Sequence, residues 1–208
     1  MVNTFMKIIL IHVPKAAGNS IKMVYEKDGL IAWSHNLRKS NYTRFPDSRL
    51  AKLTNRFYFL FKHFYFTFAV IRNPWDRVFS AYKYLSKGGN CQEDQDDCNK
   101  YIVDYKDFKD FVRHGLSNAS KTQIHFIPQT FWFCDNNNNV LVNEVIKLDN
   151  LEESLAKIMR RFNKNHYKLP VANKSNSLDY RQFYNEETIA IVKGIYKQEI
   201  ELFNFNFE

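Results

Sequence analysis

Residues 6–20 read MKIILIHVPKAAGNS, and they decide the fold. Met6 to Val13 is an almost unbroken aliphatic and β-branched run, the pattern of a strand covered on both faces in a parallel sheet. Pro14 stops it. The loop Pro14 to Ser20 opens a segment, Ser20 to Lys27, whose apolar positions Ile21, Val24 and Tyr25 recur at helical spacing. The order is strand, loop of phosphate size, helix. It returns at FTFAVIRNPWDRVFSAY, residues 66–82. There a buried strand from Phe66 to Ile71 ends at Arg72-Asn73-Pro74, and Trp75 to Leu85 resumes a helical period with Trp75, Val78, Phe79 and Tyr82 on one side. Alternating strands and helices predict an α/β fold, a three-layer sandwich with a mainly parallel central sheet.

Between and beyond these two units the pattern is less regular. Gly29 to Trp33 reads as a short strand and Asp47 to Phe61 as a helix rich in Leu and Phe. Lys87 to Lys100 is polar and acidic, a surface excursion. Asp107 to Gly115 reads as a short helix that Gly115 caps. Gln129 to Phe133 and Val140 to Val142 read as strands or extended segments around a turn at Asp135 and Asn136 to Asn139. Glu144 to Leu148 is a further strand. Leu151 to Phe162 is an amphipathic helix with Asn150 at the N-cap and Glu153 at the capping-box position, and Glu186 to Phe203 is a final helix. No internal repeat and no linker divides the chain, which predicts a single domain over residues 1–208.

Composition bounds the function. Thirty Lys and Arg against 22 Asp and Glu give a formal charge of +8, which favours an anionic partner: nucleic acid, a membrane surface, a glycan or a phosphorylated small molecule. A hydrophobic content of 45% with 16% aromatics builds a core and excludes a disordered basic tail. Three cysteines, Cys91, Cys98 and Cys134, are an odd number in a chain long enough to fold without staples, which points to a reducing compartment; a Cys91–Cys98 disulfide stays open. The longest apolar stretch, Phe57 to Ile71, is 15 residues and is broken by Lys62 and His63, too short to span a bilayer. Met1 to Val13 lacks the basic region and the small-residue cleavage site of a secretory leader. The expectation is a cytoplasmic protein without membrane insertion.

Ligands of parallel sheets bind at the carboxyl ends of the strands, where both motifs sit. PKAAGNS sets a Lys, a Gly and polar side chains around a turn into a helix N-terminus, where backbone N–H groups and the helix dipole suit an anion. It is not a Walker A loop, because Lys15 precedes its only glycine, Gly18. In the second motif Arg72 ends the strand, and Arg77 and Ser80 lie one turn apart, a guanidinium fork and a hydroxyl for phosphate oxygens. A nucleotide hydrolase wants an Asp here for magnesium, and the strand offers Arg. The pattern predicts a site for two separate phosphates with no metal.

The pair HVPKAAGNS and VIRNPWDRVFSAY resembles the nucleotide-binding signatures of sulfotransferases, in particular the group of carbohydrate sulfotransferases and their short bacterial relatives. The likeness extends to HNLRKSNY from His35, HFIPQ from His125, VIKLDNLEESL from Val145 and the C-terminal NEETIAIVKGIYKQEIELFNFNF, and so covers nearly the whole chain. The resemblance implies a P-loop-like sulfotransferase fold, a cytoplasmic bacterial enzyme, and 3′-phosphoadenosine 5′-phosphosulfate (PAPS) as co-substrate with no metal required. Its acceptor is a glycan or another hydroxyl-bearing small molecule, and nucleic acid is not a partner. By the same likeness Lys15 steadies the leaving phosphate and Pro14, Ala16, Ala17, Gly18, Asn19 and Ser20 cradle the 5′ end. Arg72 and Ser80 bind the 3′-phosphate, with Arg77 beside them, and Lys174, in a loop with Ser175, closes over the nucleotide; a solvated loop is the alternative for that segment. The group's first loop commonly reads PKTAGTS, so Ala16 and Asn19 each replace a Thr.

Transfer to a hydroxyl calls for a general base with a pKa near neutrality. His35, after the second strand, is the first candidate, and His125 the second on the acceptor side. The alternatives are a surface-loop His35 and a packed His125 beside Phe126. His12 reads as a core histidine, and His63, His114 and His166 as surface residues. Cys91 and Cys98 flank Glu93, Asp94, Asp96 and Asp97, with no His in the segment to complete a zinc pattern. A P-loop-type nucleotide kinase and a non-catalytic basic module for nucleic acid or anionic glycan are the competing classes.

Overall fold

A computed structural model describes residues 7–25, 31–34, 65–164 and 179–207. The helix expected over Asp47 to Phe61, and the candidates His35 and Lys174, lie outside the described residues. The chain divides into two compact units, one of residues 1–71 and 129–172 and one of residues 72–128 and 173–208.

The first unit holds a four-stranded parallel sheet of order β2-β1-β3-β4, with β1 at Lys7–Ile11, β2 at Ile31–Ser34, β3 at Tyr65–Ile71 and β4 at Glu144–Lys147. Ile8 pairs with Ile31 on one side and Phe66 on the other, and Ile11 with Ser34 and Ala69. In β1 and β3, Ile8, Leu10, Ile11 and every residue from Phe66 to Ile71 are buried, as unbroken apolar runs require. Thr67 is the polar exception, and it is satisfied: its N–H and hydroxyl donate to Asn143 Oδ1 at 2.8 and 3.0 Å, while the Asn143 N–H donates to the Thr67 carbonyl at 2.9 Å. These bonds fix where β4 begins. Because β1 and β3 are adjacent and parallel, both strands end at the same edge of the sheet.

Helix α1, Gly18–Tyr25, follows β1 and buries Ile21 and Tyr25. Helix α7, Leu151–Arg161, buries Leu151, Leu155, Ile158 and Met159 at i, i+4, i+7 and i+8, each contributing about 1.5–3 kcal/mol of apolar burial. The next residue, Phe162, packs its ring at a tilt against Phe66 of β3, centroids 5.0 Å apart. The capping box expected at its start does not form. A 3₁₀ turn over Leu148–Asn150 leaves Asn150 at φ −108°, ψ 19° instead of extended, so its side chain makes no cap bond, and Glu153 pairs forward with Lys157 at 2.7 Å. The segment expected to be extended before the Asn run is a single helical turn, α6, Thr130–Phe133. The turn itself is as read. Asp135 Oδ1 accepts from the N–H groups of Asn137 and Asn139, and Cys134 bridges antiparallel to Val140.

The second unit is helical: α2 Pro74–Leu85, α3 Gln92–Tyr101, α4 Phe108–His114, α5 Leu116–Thr122, α8 Glu186–Ile195 and α9 Lys197–Phe203. Its core is aromatic. Phe79 stacks on Phe183 at 4.4 Å and meets Phe108 edge-on at 5.3 Å, and Tyr184 meets both Phe108 and Phe207. Two expectations change here, and a third, the Gly115 cap, holds. The acidic excursion contains helix α3, which buries Asp94, Cys98 and Tyr101 at i, i+4 and i+7 under a polar exterior. Gly115 caps α4 as read, its N–H donating to the Phe111 carbonyl at 2.8 Å, with φ −105° and not left-handed geometry, and α5 starts directly after it. A Cβ there would sit 2.6 Å from the Tyr105 ring, so space sets the choice of glycine. The last helix is broken at Tyr196, φ −105° and ψ 19°, and its start carries a reciprocal capping box between Asn185 and Thr188.

Candidate functional site

In the first unit the residues at issue leave the carboxyl end of β1. Lys15 has φ 67° and Ala17 φ 60°, the left-handed region that costs an L-residue about 1–2 kcal/mol. Between them the Ala16 N–H donates to the Val13 carbonyl at 3.3 Å, and the Ala17 carbonyl accepts from Ser20 and Ile21 as the first turn of α1 forms. Two such residues in three curl the chain into a concave turn, and the N–H groups of Gly18 and Asn19 then lie at the open start of the helix. Pro14, Ala16 and Gly18 are buried, Lys15, Ala17 and Ser20 half-buried, and Asn19 exposed. The buried methyl of Ala16 fills interior space, so a Thr at this position would place its side chain in the interior.

In the second unit Asn73 starts α2. Its Oδ1 accepts from the Trp75 N–H at 3.1 Å, Pro74 occupies the first helical position, and its Nδ2 donates to the Asn206 carbonyl at 2.6 Å. Trp75 is held twice more, donating from Nε1 to the Ile189 carbonyl at 3.1 Å and accepting from the Tyr184 hydroxyl at its own carbonyl at 2.8 Å. Arg72 is thereby presented on a rigid base. It makes a bidentate pair with Asp76, Nε to Oδ2 at 2.6 Å and Nη2 to Oδ1 at 2.8 Å, both side chains about a quarter exposed. Arg72, Asp76 and Ser80 are spaced by four and all half-buried, one stripe along the accessible face of the motif.

Arg77 stands elsewhere from where the sequence reading put it. It is fully buried, and its fork donates from Nη1 to the His125 carbonyl at 3.0 Å and from Nη2 to the Ile127 carbonyl at 2.7 Å. Its guanidinium lies 5.7 Å from the centre of the Tyr196 ring, and the Tyr196 hydroxyl takes the carbonyl between, Phe126, at 2.6 Å. Three consecutive carbonyls are thus fixed by two buried side chains. The expected phosphate ligand is a strut for the segment that carries His125.

That segment meets α3. Asp94, Asp97 and His125 each offer a ligand atom within 4.8 Å of the others, so a histidine does join the acidic helix, brought from 28 residues beyond Asp97 by the fold. Asp94 accepts from the Tyr84 hydroxyl at 2.5 Å and the Asn90 N–H at 3.1 Å. Burial opposes its ionisation, but those donors, the Cys91 thiol and His125 outweigh it and hold the carboxyl below its ordinary range. Burial and the bond to Asp94 push the Tyr84 phenol well up. The turn that brings Asn90 round needs glycine: at Gly89, φ +64°, a Cβ would lie 2.2 Å from Asp94 Cβ. Cys91, Cys98 and Cys134 form no disulfide, so the Cys91–Cys98 bridge left open by the sequence is not made.

The sequence reading missed Asp76 and Gln123, the latter at the end of α5 with its amide bonded to Asp97 and to the His125 N–H. Asp76 was legible as the i+4 partner of Arg72; Gln123 carries no motif. Among the described residues no helix is long and apolar enough to cross a membrane. A family model described as "Sulfotransferase family" matches residues 1–206. No curated protein matches the chain significantly.

Proposed function

The chain belongs to the sulfotransferase family, and from that premise we propose that it transfers the sulfuryl group of PAPS to a hydroxyl of a carbohydrate or glycan-containing acceptor, giving a sulfate ester and PAP. The observation that carries the reading is the strained turn at Lys15 and Ala17, at the carboxyl end of a central parallel strand in a chain matched almost end to end by the family. The α/β topology supports a P-loop-like fold with its helices layered on the sheet.

The acceptor oxygen attacks sulfur, the bond from sulfur to the bridging phosphate oxygen breaks, and the hydroxyl proton passes to a base. The transferred group carries little charge, so the barrier is lowered where negative charge gathers, on the leaving phosphate. Lys15 supplies a cation there, and the N–H groups at the start of α1 together with the Ser20 hydroxyl hold the phosphate oxygens. Arg72, a planar guanidinium on the accessible stripe of the motif, binds the 3′-phosphate with Ser80. Asp76 fixes the plane of that guanidinium before any ligand arrives. Arg77 takes no part in donor binding, since its fork is committed to backbone carbonyls. The family likeness adds Lys174 as a nucleotide contact and His35 as the base. No metal is required by this scheme, and a cytoplasmic location fits cysteines that form no disulfide.

Thermal unfolding with PAP tests the reading, with ATP and magnesium as the control. PAP at a hundred times its dissociation constant stabilises by about 2.7 kcal/mol, a rise of roughly 5–10 °C for a chain of this size. A rise with ATP and magnesium and none with PAP would sink the proposal in favour of a kinase.

A further inference from the structure

Gln123 ends α5, and its side chain is almost completely buried at 1% exposure. Its amide orientation is fixed by two partners that allow no exchange of oxygen and nitrogen. Oε1 accepts from the His125 backbone N–H at 2.5 Å, and Nε2 donates to Asp97 Oδ2 at 2.7 Å. The same Nε2 lies 3.0 Å from His125 Nδ1. An amide nitrogen only donates, so His125 Nδ1 must accept, and in the neutral ring the proton sits on Nε2. From these bonds we infer that Gln123 is a positioning residue that locks His125 as an Nε2–H hydrogen-bond donor, which removes His125 from the candidates for the proton-abstracting base.

The lock is rigid on its other sides. Arg77 holds the carbonyls of His125 and Ile127, and Tyr196 that of Phe126, so the backbone cannot turn the ring away from Gln123. Asp97 holds the Gln123 amide nitrogen from α3, and the Tyr84 ring lies 5.4 Å from the imidazole. The same bonds work against the neighbouring Asp94, Asp97 and His125 as a cation site, because the Nδ1 lone pair and one Asp97 oxygen already receive Gln123. A general base needs a lone pair facing its substrate, and His125 has committed the only one it has. The part of this that concerns the reaction rests on the sulfotransferase reading; the tautomer does not.

Long-range nitrogen NMR on protein labelled with ¹⁵N-histidine reads the tautomer directly, and it does so whether or not PAP binds. At pH 7.5 His125 shows an unprotonated Nδ1 and a protonated Nε2. Gln123→Met, close in size but without a donor, relaxes it towards a mixture, while Gln123→Glu, which places an acceptor beside Nδ1, moves the proton to Nδ1. Far-UV circular dichroism confirms that each variant is folded, and Gln123→Met carries the test if Gln123→Glu does not fold. A protonated Nδ1 in the unmodified protein, or a Gln123→Met spectrum unchanged from it, overturns the assignment. So does a stoichiometric Zn²⁺ titration that makes His125 Nδ1 a ligand.

Discussion

The turn after β1 and the start of α2 are both the exits of parallel strands, and both are read as phosphate sites, yet they are built by opposite means. The first uses backbone: two non-glycine residues at positive φ, with buried Pro14, Ala16 and Gly18 holding the curve. The second uses side chains: an Asn cap, a Pro at the first helical position, and an arginine oriented by a carboxylate. A backbone site stores its cost as conformational strain, about 1–2 kcal/mol per residue, and tolerates side-chain change at positions that only fill space. A side-chain site stores almost none and depends on each named group. The two regions are therefore expected to fail differently.

The sharpest contrast is in turnover. Lys15→Met keeps the length of the side chain and removes the charge at the leaving phosphate; kcat is expected to fall by about 10²–10³-fold, by analogy with the loss of one preorganised donor. PAP affinity should change far less. An equal loss in both would mean that Lys15 binds ground state and transition state alike. Within the second motif the break is between two arginines five residues apart. Arg77→Met leaves the carbonyls of His125 and Ile127 buried without donors, and is expected to lower stability by about 2–4 kcal/mol, roughly 5–15 °C in Tm, with PAP affinity retained in the folded protein. Arg72→Ala does the reverse. It removes charge-assisted bonds to phosphate worth about 1.5–3 kcal/mol, a 10- to 150-fold loss of PAP affinity by calorimetry, with Tm nearly unchanged because the pair with Asp76 is partly solvated. If Arg77→Met weakens PAP and spares Tm, the strut assignment fails.

Both strand–loop–helix units were legible because β1, β3, α1 and α2 carry their period in consecutive residues. What the sequence hid was contact between segments far apart. Arg72 and Arg77 look alike as guanidiniums of one motif, and only burial separates a half-buried stripe of spacing four from a buried neighbour one position on. Helix α3 was read as an excursion because only Asp94, Cys98 and Tyr101 of its ten residues are buried, too few apolar positions to show a period. The acidic segment seemed to lack a histidine for the same reason, since His125 reaches it through tertiary structure. The capping box at Asn150 had the right letters, but the 3₁₀ turn before it set the wrong backbone angles. The family resemblance, resting on contiguous motifs, was recoverable; the roles of Gln123 and Asp76 depend on distances that no motif records.

The smallest effect bears on strain itself. Ala17 sits at φ 60° between Ala16 and the start of α1, and its side chain is only half-buried. Glycine adopts that conformation without the Cβ clash but is also freer in the unfolded chain, which returns part of the gain. Ala17→Gly is therefore expected to stabilise by no more than about 1 kcal/mol, a rise in Tm of roughly 2–4 °C. If the turn is strained so as to hold its N–H groups in place for phosphate, the same change makes the loop less preorganised, and PAP binding weakens by a few-fold as Tm rises. Opposed signs in the two measurements would establish that the strain serves the ligand. A gain in both would reduce the curve after β1 to a feature of folding and leave the side chains of Lys15 and Ser20 as the first region's contribution to the proposed site.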